Sequence, residues 1–354
     1  MSGGTAIRNW LTNKSFENDE KKNRNSCCSA VGDDIRPSLL RGLTDVDNLS
    51  VEYENVEQQN PELYSRYLAS LREYRKTDHT LVYAWYDNSV KVPVSRAHYL
   101  RDVPDSIDVV GLIHPDSLTQ SEIEQMNYLR EQKGMKIVYT IDFDGMKTDY
   151  TNIVEPADPD RDFRSYLTDT LSYTLSLLKK YPYDGICIGY TGKSTVLMDD
   201  AEKKEYMENE NCFIGILEDW CSRNEGVELT FFGQPDNLLD KTILDRCPTI
   251  LLDGRTATAT NELTTLMTRN WIAGYAGRYG MVVAGTPLSG TNKYAAFSDG
   301  TPETDAVAAW ACTPQQGARI RAVGVYDFSG DYFNADNTYK NMRNMISTLN
   351  PSIK

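Results

Sequence analysis

The sequence predicts an α/β chain folded as a (β/α)8, or TIM, barrel behind an irregular N-terminal extension. Three observations carry that prediction. Eight short apolar runs recur between residues 81 and 326, amphipathic helical segments separate them, and polar and aromatic residues collect just after the runs. Short apolar runs alternating with amphipathic helices mark parallel strands buried on both faces. Eight in succession favour a closed barrel over an open sheet, although a doubly wound sheet shares the same periodicity. At 354 residues the chain exceeds the usual single-domain size, yet barrels run beyond about 250 residues as one domain.

Taken in order, residues 1–50 are polar and irregular, with FENDEKKNRNS followed by CCSAVGDD and few spaced apolar residues. They read as an extension without its own core, partly mobile or wrapped on the barrel, which then occupies 51–354. A helix is predicted over 61–76, where Leu63, Tyr67, Leu68, Leu71 and Tyr74 share one face. The predicted strands are 81–86, 107–113, 136–143, 185–189, 227–232, 249–252, 281–285 and 322–326. The predicted helices between and after them are 119–133, 161–181, 200–224, 237–246, 261–279, 303–316 and 337–349, and 88–104 is only weakly helical.

Composition narrows the function classes. A net charge of −14 leaves no basic excess to neutralise phosphates, which argues against nucleic acid. Seven cysteines in no metal-like spacing give no zinc signal, and their odd number rules out complete internal pairing. No run of 18 apolar residues is present. Met1-Ser2-Gly3-Gly4 reads as an added leader on a trimmed chain. The 22 tyrosines suit a surface that stacks on sugar C–H faces, though most of them are expected to be structural.

In a barrel, chemistry collects after the C-terminal ends of the strands. Those ends carry Trp85, Tyr86, Asp87 and Asn88; His114 and Asp116; Asp142, Phe143 and Asp144; Tyr190, Thr191 and Lys193; Gln234, Asp236 and Asn237; Asp253 and Arg255; Thr286; and Tyr326, Asp327, Asp331 and Tyr332. Amides and carboxylates satisfy vicinal hydroxyls while Trp and Tyr supply a stacking face, so this ring suits a sugar cleft. Asp142 and Asp144 resemble a paired-carboxylate site, but Asp144-Gly145 equally reads as a turn dipeptide. His114 has no evident partner in sequence, and Lys193 and Arg255 suit ion pairs or ligand contacts better than nucleophilic roles. No Ser-His-Asp spacing, phosphate-binding glycine loop or metal-ligand cluster is evident, so no cofactor or metal is expected.

The most informative stretch is Tyr181 to Gly192, YPYDGICIGYTG. Together with YLASLREYRKTDHTLVYAWY (67–86), VPDSIDVVGL (103–112) and VGVYDFSGDYFN (323–334), it resembles glycoside hydrolase family 18, the chitinases and endo-β-N-acetylglucosaminidases. The resemblance looks closest to the surface lipoproteins of Bacteroidetes. That family carries Asp-Gly-x-Asp-x-Asp-x-Glu on its fourth strand, where the Glu protonates the glycosidic oxygen and the preceding Asp orients the substrate's N-acetyl nucleophile. Here Asp184 and Gly185 match, whereas Cys187, Gly189 and Thr191 stand at the positions of the second Asp, third Asp and Glu. Asp184, at the start of the strand, suits a structural role.

The resemblance therefore implies a barrel that binds N-acetylglucosamine-containing glycans, of N-glycan or chitin-like type, without hydrolysing them. The residues expected to bind are Trp85, Tyr86, Asp142, Asp144, Gln234, Asp236, Tyr326 and Asp327. The alternative is an active endo-glycosidase whose acid is displaced to Asp142, Asp144, Asp236 or Asp327, and a third class is a protein-interaction barrel with a vestigial cleft. The resemblance also implies an outer-membrane lipoprotein at the cell surface or in the periplasm, its leader absent from this chain, working beside a glycan importer and active glycosidases.

Overall fold

The computed structural model describes residues 60–288 and 295–351. The predicted extension and the division at residue 50 lie outside the described residues. A first helix, α1 (Pro61–Tyr74), is capped by Asn60, whose side chain accepts from Leu63 N–H at 3.0 Å. Eight parallel strands follow: β1 (Leu81–Tyr86), β2 (Val109–Leu112), β3 (Lys136–Asp142), β4 (Gly185–Tyr190), β5 (Glu228–Gly233), β6 (Thr249–Asp253), β7 (Tyr279–Ala284) and β8 (Ala322–Tyr326). They pair in chain order, and β8 returns to β1 with Leu81 opposite Ala322 and Trp85 opposite Tyr326, which closes the barrel and excludes the doubly wound alternative.

The strands form because their residues are apolar or β-branched on both faces, one for the barrel lumen and one for the helix layer. Tyr83, Trp85, Val109, Val138, Cys187, Phe232, Leu251, Val282 and Ala322 pack together inside the barrel. Val82, Ala84, Tyr86, Val110, Ile137, Tyr139, Ile186 and Ile188 face the surrounding helices instead. Those helices are α2 (Gln120–Tyr128), α3 (Phe143–Asp149), α4 (Phe163–Lys180), α5 (Asp200–Arg223), α6 (Thr260–Arg269), α7 (Glu303–Ala311) and α8 (Lys340–Leu349).

Several elements differ from the sequence reading for identifiable reasons. Asp144-Gly145 is not a turn: Asp142 caps α3, its carboxylate accepting from Asp144 N–H at 3.2 Å. The expected helix over 237–246 breaks into two 3-10 segments, Pro235–Asn237 and Thr242–Arg246. α6 ends at Arg269, where the buried Asn270 side chain donates to Leu266 C=O at 3.0 Å. α7 stops at Ala311, ahead of Pro314, because proline disfavours helix in the residue before it. α8 starts three residues later than expected, after Tyr339 at φ +55°.

At the N-terminal end of the barrel, Asp184 accepts from Arg130 Nε at 2.9 Å and Nη2 at 2.7 Å, and from Ile137 N–H at 2.8 Å. It braces β3, β4 and the segment after α2, far along the strand from the C-terminal mouth.

Candidate functional site

The C-terminal mouth encloses a pocket of about 320 Å³, lined by Trp85, Thr140, Asp142, Asp144, Gly189, Thr191, Phe232, Asp253, Arg255 and Tyr326, with Leu112, Ile113 and Tyr190 behind. Its floor is aromatic. Trp85 donates from Nε1 to Thr140 Oγ1 at 3.0 Å, and its ring centre lies 5.2 Å from that of Phe232 and 5.8 Å from that of Tyr326. Glycines in the flanking strands make room for the indole: a Cβ on Gly111 would lie 2.7 Å from Trp85 Cδ1, and one on Gly324 would lie 3.1 Å from Cζ3. The ring is only 1% exposed, so Trp85 builds the floor and offers little face for stacking.

One wall is Arg255. Its guanidinium is 4.5 Å from the centre of the Tyr326 ring and 5.1 Å from that of Phe232, within cation–π range. Nε and Nη2 each donate to the Asp253 carboxylate at 2.8 Å. Burial would lower the Arg255 pKa, but the hydrogen bonds and charge of Asp253 outweigh it and raise the value.

The opposite wall is formed by the ends of β3 and β4. Asp142 stands beside Gly189 in the β3–β4 register. Loss of solvent within the pocket pushes its carboxyl above the ordinary range, the Gly145 N–H opposes this, and the Asp144 carboxylate adds to the rise. Asp144 Oδ2 accepts from Thr191 N–H at 2.7 Å and Gly192 N–H at 3.1 Å. Asn237 Nδ2 donates to Thr191 C=O at 2.8 Å, and Lys193 N–H donates to Tyr206 Oη at 2.9 Å. Tyr206 is in turn 2.6 Å from Tyr190 Oη, which donates to the buried Glu210. Glu210 Oε1 also accepts from Leu239 and Asp240 N–H at 2.8 and 3.1 Å. Gly192, at φ +58°, completes the turn, since a Cβ there would lie 2.5 Å from the Tyr190 ring. The segment 191–193 is thus pinned on every side.

Gly189 and Thr191 put no carboxylate into this pocket. Gly189 is also crowded: an added Cβ would lie 3.0 Å from Thr140 Cγ2, 3.1 Å from Asp142 Cα and 3.2 Å from Ile141 O. Cys187 is fully buried in the lumen below, and burial pushes its thiol pKa far up.

Of the eight residues expected to bind, the pocket brings together Trp85, Asp142, Asp144 and Tyr326 and leaves out four. Tyr86 faces the helix layer, 2% exposed, and donates to Ala97 C=O at 2.8 Å, because successive strand residues point to opposite faces. Gln234 and Asp236 follow Gly233, whose φ of +143° turns the chain off the strand into a 3-10 turn. Asp327, at φ +55°, belongs to a separate group with Asp87 and His114. Desolvation and the Asp87 charge push its carboxyl up to about 6. His114, whose partner is not evident in the sequence, lies 3.5 Å from Asp87, and its hydrogen bond pulls that carboxyl down to about 2. Thr140, Phe232, Asp253 and Arg255 complete the lining and were not among the eight. Strict period-two counting back from Asp142 reaches Thr140, and the same rule excludes Tyr86 once Trp85 is placed inside.

The model of glycoside hydrolase family 18, BT1044-like, matches residues 44–348. The chain belongs to that family. Among solved structures, this family-18 chain is similar to BT1044 at 21% identity and TM-score 0.58, over 83% of this chain and 95% of that one. It is also similar to an endo-β-N-acetylglucosaminidase from Cordyceps militaris at 16% identity and TM-score 0.56, over 81% and 96% of the two chains. These likenesses show the fold. No curated protein matches the sequence.

Proposed function

We propose that this family-18 barrel is a glycan-binding protein that has lost hydrolysis, and that its ligands contain N-acetylglucosamine. The observation that carries the reading is the end of β4. The two positions that the family resemblance aligns with the N-acetyl-orienting Asp and the acid are Gly189 and Thr191, and the backbone from Thr191 to Lys193 is pinned by Asp144, Asn237 and Tyr206. Losing a general acid removes roughly two to four orders of magnitude in rate. The pocket nevertheless keeps a lining of aromatic, carboxylate and guanidinium groups, of the kind that binds sugars. The Cordyceps militaris relative is an endo-β-N-acetylglucosaminidase, and a substituted form of it is described in complex with fucosyl-N-acetylglucosamine-Asn, at 17% identity and TM-score 0.53. That supports a glycan of the same chemistry here.

The test is calorimetry against a panel of N-glycans and chitin oligomers, with Tyr326→Ala as the control. Millimolar or tighter binding that weakens in the variant is expected. Absence of binding by every N-acetylglucosamine glycan at millimolar concentration removes the reading.

A second reading, an endo-β-N-acetylglucosaminidase with a displaced acid, is favoured by one observation. Asp142 adjoins Gly189 and its carboxyl is held above the ordinary range by desolvation. Oligosaccharide released from an N-glycoprotein on prolonged incubation, and lost in Asp142→Asn, would establish it. The same proposal places the native protein at the cell surface as a lipoprotein beside a glycan importer and glycosidases. Fractionation of the source cells and co-purification test that placement.

A further inference from the structure

At the end of the barrel opposite the pocket, His79 is buried with an acceptor at each of its ring nitrogens. Nδ1 lies 2.9 Å from Thr77 C=O, and Nε2 lies 3.0 Å from Asp108 Oδ1. Carbonyl and carboxylate oxygens only accept, so the ring donates from both nitrogens, which only the imidazolium does. Burial and the charge of Arg75 oppose that form, but the hydrogen bond and charge of Asp108, with the Thr77 carbonyl, outweigh them and raise the pKa. The Tyr74 ring stacks on the imidazole at 4.4 Å between centres. Arg75 is in turn faced by Asp105 and Tyr67, and Asp105 pairs with Lys133 Nζ at 2.6 Å.

These contacts join α1 to the barrel. Tyr74 ends α1 and Thr77 lies in the turn after it, whereas the other oxygen of Asp108 accepts from Val82 N–H of β1 at 2.8 Å. The buried apolar side chains of α1, Tyr64, Leu68 and Leu71, form a cluster of their own, apart from the two cores of the barrel. Polar ties add to it: Arg75 Nη2 donates to Asp105 C=O at 2.5 Å and to Ile107 C=O at 2.8 Å. An element with so small an apolar contact opens at a lower free energy than the core. On the other side of His79 the chain is secured separately, because the Asn350 side chain bonds both N–H and C=O of Thr80, at 3.0 and 2.9 Å. Weakening the His79 contacts therefore loosens α1 and leaves β1 in place.

We infer that the His79 imidazolium, held between Thr77 and Asp108, is a pH-sensitive fastening that keeps α1 on the barrel and releases it as the proton is lost. Deprotonation leaves a lone pair facing an acceptor, so one of the two hydrogen bonds becomes a repulsion. The folded chain binds the proton more tightly than the opened one. The contribution is thus complete below the ordinary histidine value of 6.5 and is lost as pH rises through the folded-state value. Within that window the opening of α1 becomes more frequent by up to about tenfold per pH unit, the slope for one proton. Because α1 stands in the chain between residues 1–59 and the barrel, the part that loosens is that link.

The experiment is nuclear magnetic resonance of the full chain between about pH 5.5 and 9, reading the imidazole nitrogens and the backbone amide exchange, corrected for its intrinsic pH dependence. The chain has three histidines, and the single variants His98→Gln and His114→Gln leave the His79 signals identified. His79 is expected to be doubly protonated at about pH 6 and to titrate above 6.5. Exchange at Leu68 and Leu71 of α1 should accelerate across the same window while amides of α8 hold steady. His79→Gln keeps an amide donor for Asp108 but has no proton to lose, and should abolish that slope. A ring that titrates at or below 6.5, or one still doubly protonated at about pH 9, overturns the inference. So does α1 exchange that runs parallel to that of α8, or a slope that survives in a folded His79→Gln. If His79→Gln does not fold, the wild-type titration and exchange decide by themselves.

Discussion

Asp144→Ala tests whether the loop after β4 is a built structure or a loose remnant. One carboxylate oxygen, Oδ2, accepts from Thr191 N–H at 2.7 Å and from Gly192 N–H at 3.1 Å, both partly buried. Hydrogen bonds to a charged group contribute about 1.5–3 kcal/mol each when buried. Partial access of water to these two amides brings the expected loss for Asp144→Ala to about 2–3 kcal/mol in total. Asp144→Asn retains a carbonyl acceptor without the charge and is expected to cost about 1 kcal/mol. Urea denaturation supplies the stabilities, and amide hydrogen exchange at Thr191 and Gly192 reports the loop itself. Exchange there should accelerate in the alanine variant while amides of β7 remain protected. An alanine variant within about 0.5 kcal/mol of wild type, with unchanged exchange at both amides, would refute the view that Asp144 holds this loop.

Three further outcomes are expected. Trp85→Ala removes a ring that is 1% exposed and should cost about 3–5 kcal/mol by denaturation, so loss of glycan binding in that variant reports folding as much as contact; a loss below about 1 kcal/mol would contradict its place in the floor. Gly189→Asp with Thr191→Glu is expected to destabilise the barrel by about 1–3 kcal/mol, because the new Cβ meets the backbone of Ile141 and Asp142 at 3.1–3.2 Å, and to recover no glycan release by mass spectrometry; recovery at undiminished stability would show that β3 and β4 part easily. Burial pushes the Glu303 carboxyl from 4.5 up to about 7, opposed by the Ala284 N–H at 2.9 Å. The folded state then binds the proton more tightly than the unfolded chain, so this group's contribution is complete below about pH 4.5 and is lost as pH rises through about 7. The loss is of order 3 kcal/mol, and Glu303→Gln should flatten that part of the stability profile. An unchanged profile in the variant would place the slope elsewhere.

The barrel was legible because burial on both faces writes itself into a strand as an unbroken apolar run. LVYAWY and AVGVY became β1 and β8 with the expected limits, and the other six strands shifted only at their ends. The helix after Phe143 was not legible, since Asp-Gly carries a strong turn preference and only the carboxylate of Asp142 reaching Asp144 N–H turns the chain into α3. The short segments after β5 and β6 failed for a related reason: apolar spacing says which residues face inward, not whether Pro235 or Asn270 interrupts the turn.

The site divides in the same way. Sequence by itself determined that Gly189 and Thr191 bring no acid to the end of β4 and that Asp142, Asp144 and Tyr326 stand near the mouth, because strand order and residue identity settle both. Only the tertiary structure decided which neighbours meet. Period-two alternation sends Trp85 into the lumen and Tyr86 out of it. The strand order β5-β6-β7-β8 brings Arg255, two residues past the end of β6, to Phe232 of β5 and Tyr326 of β8, a meeting of residues distant in the chain that no local pattern encodes. The partner of Asp144 is likewise forty-seven residues away, at Thr191, where adjacent strands bring two loops within hydrogen-bonding reach.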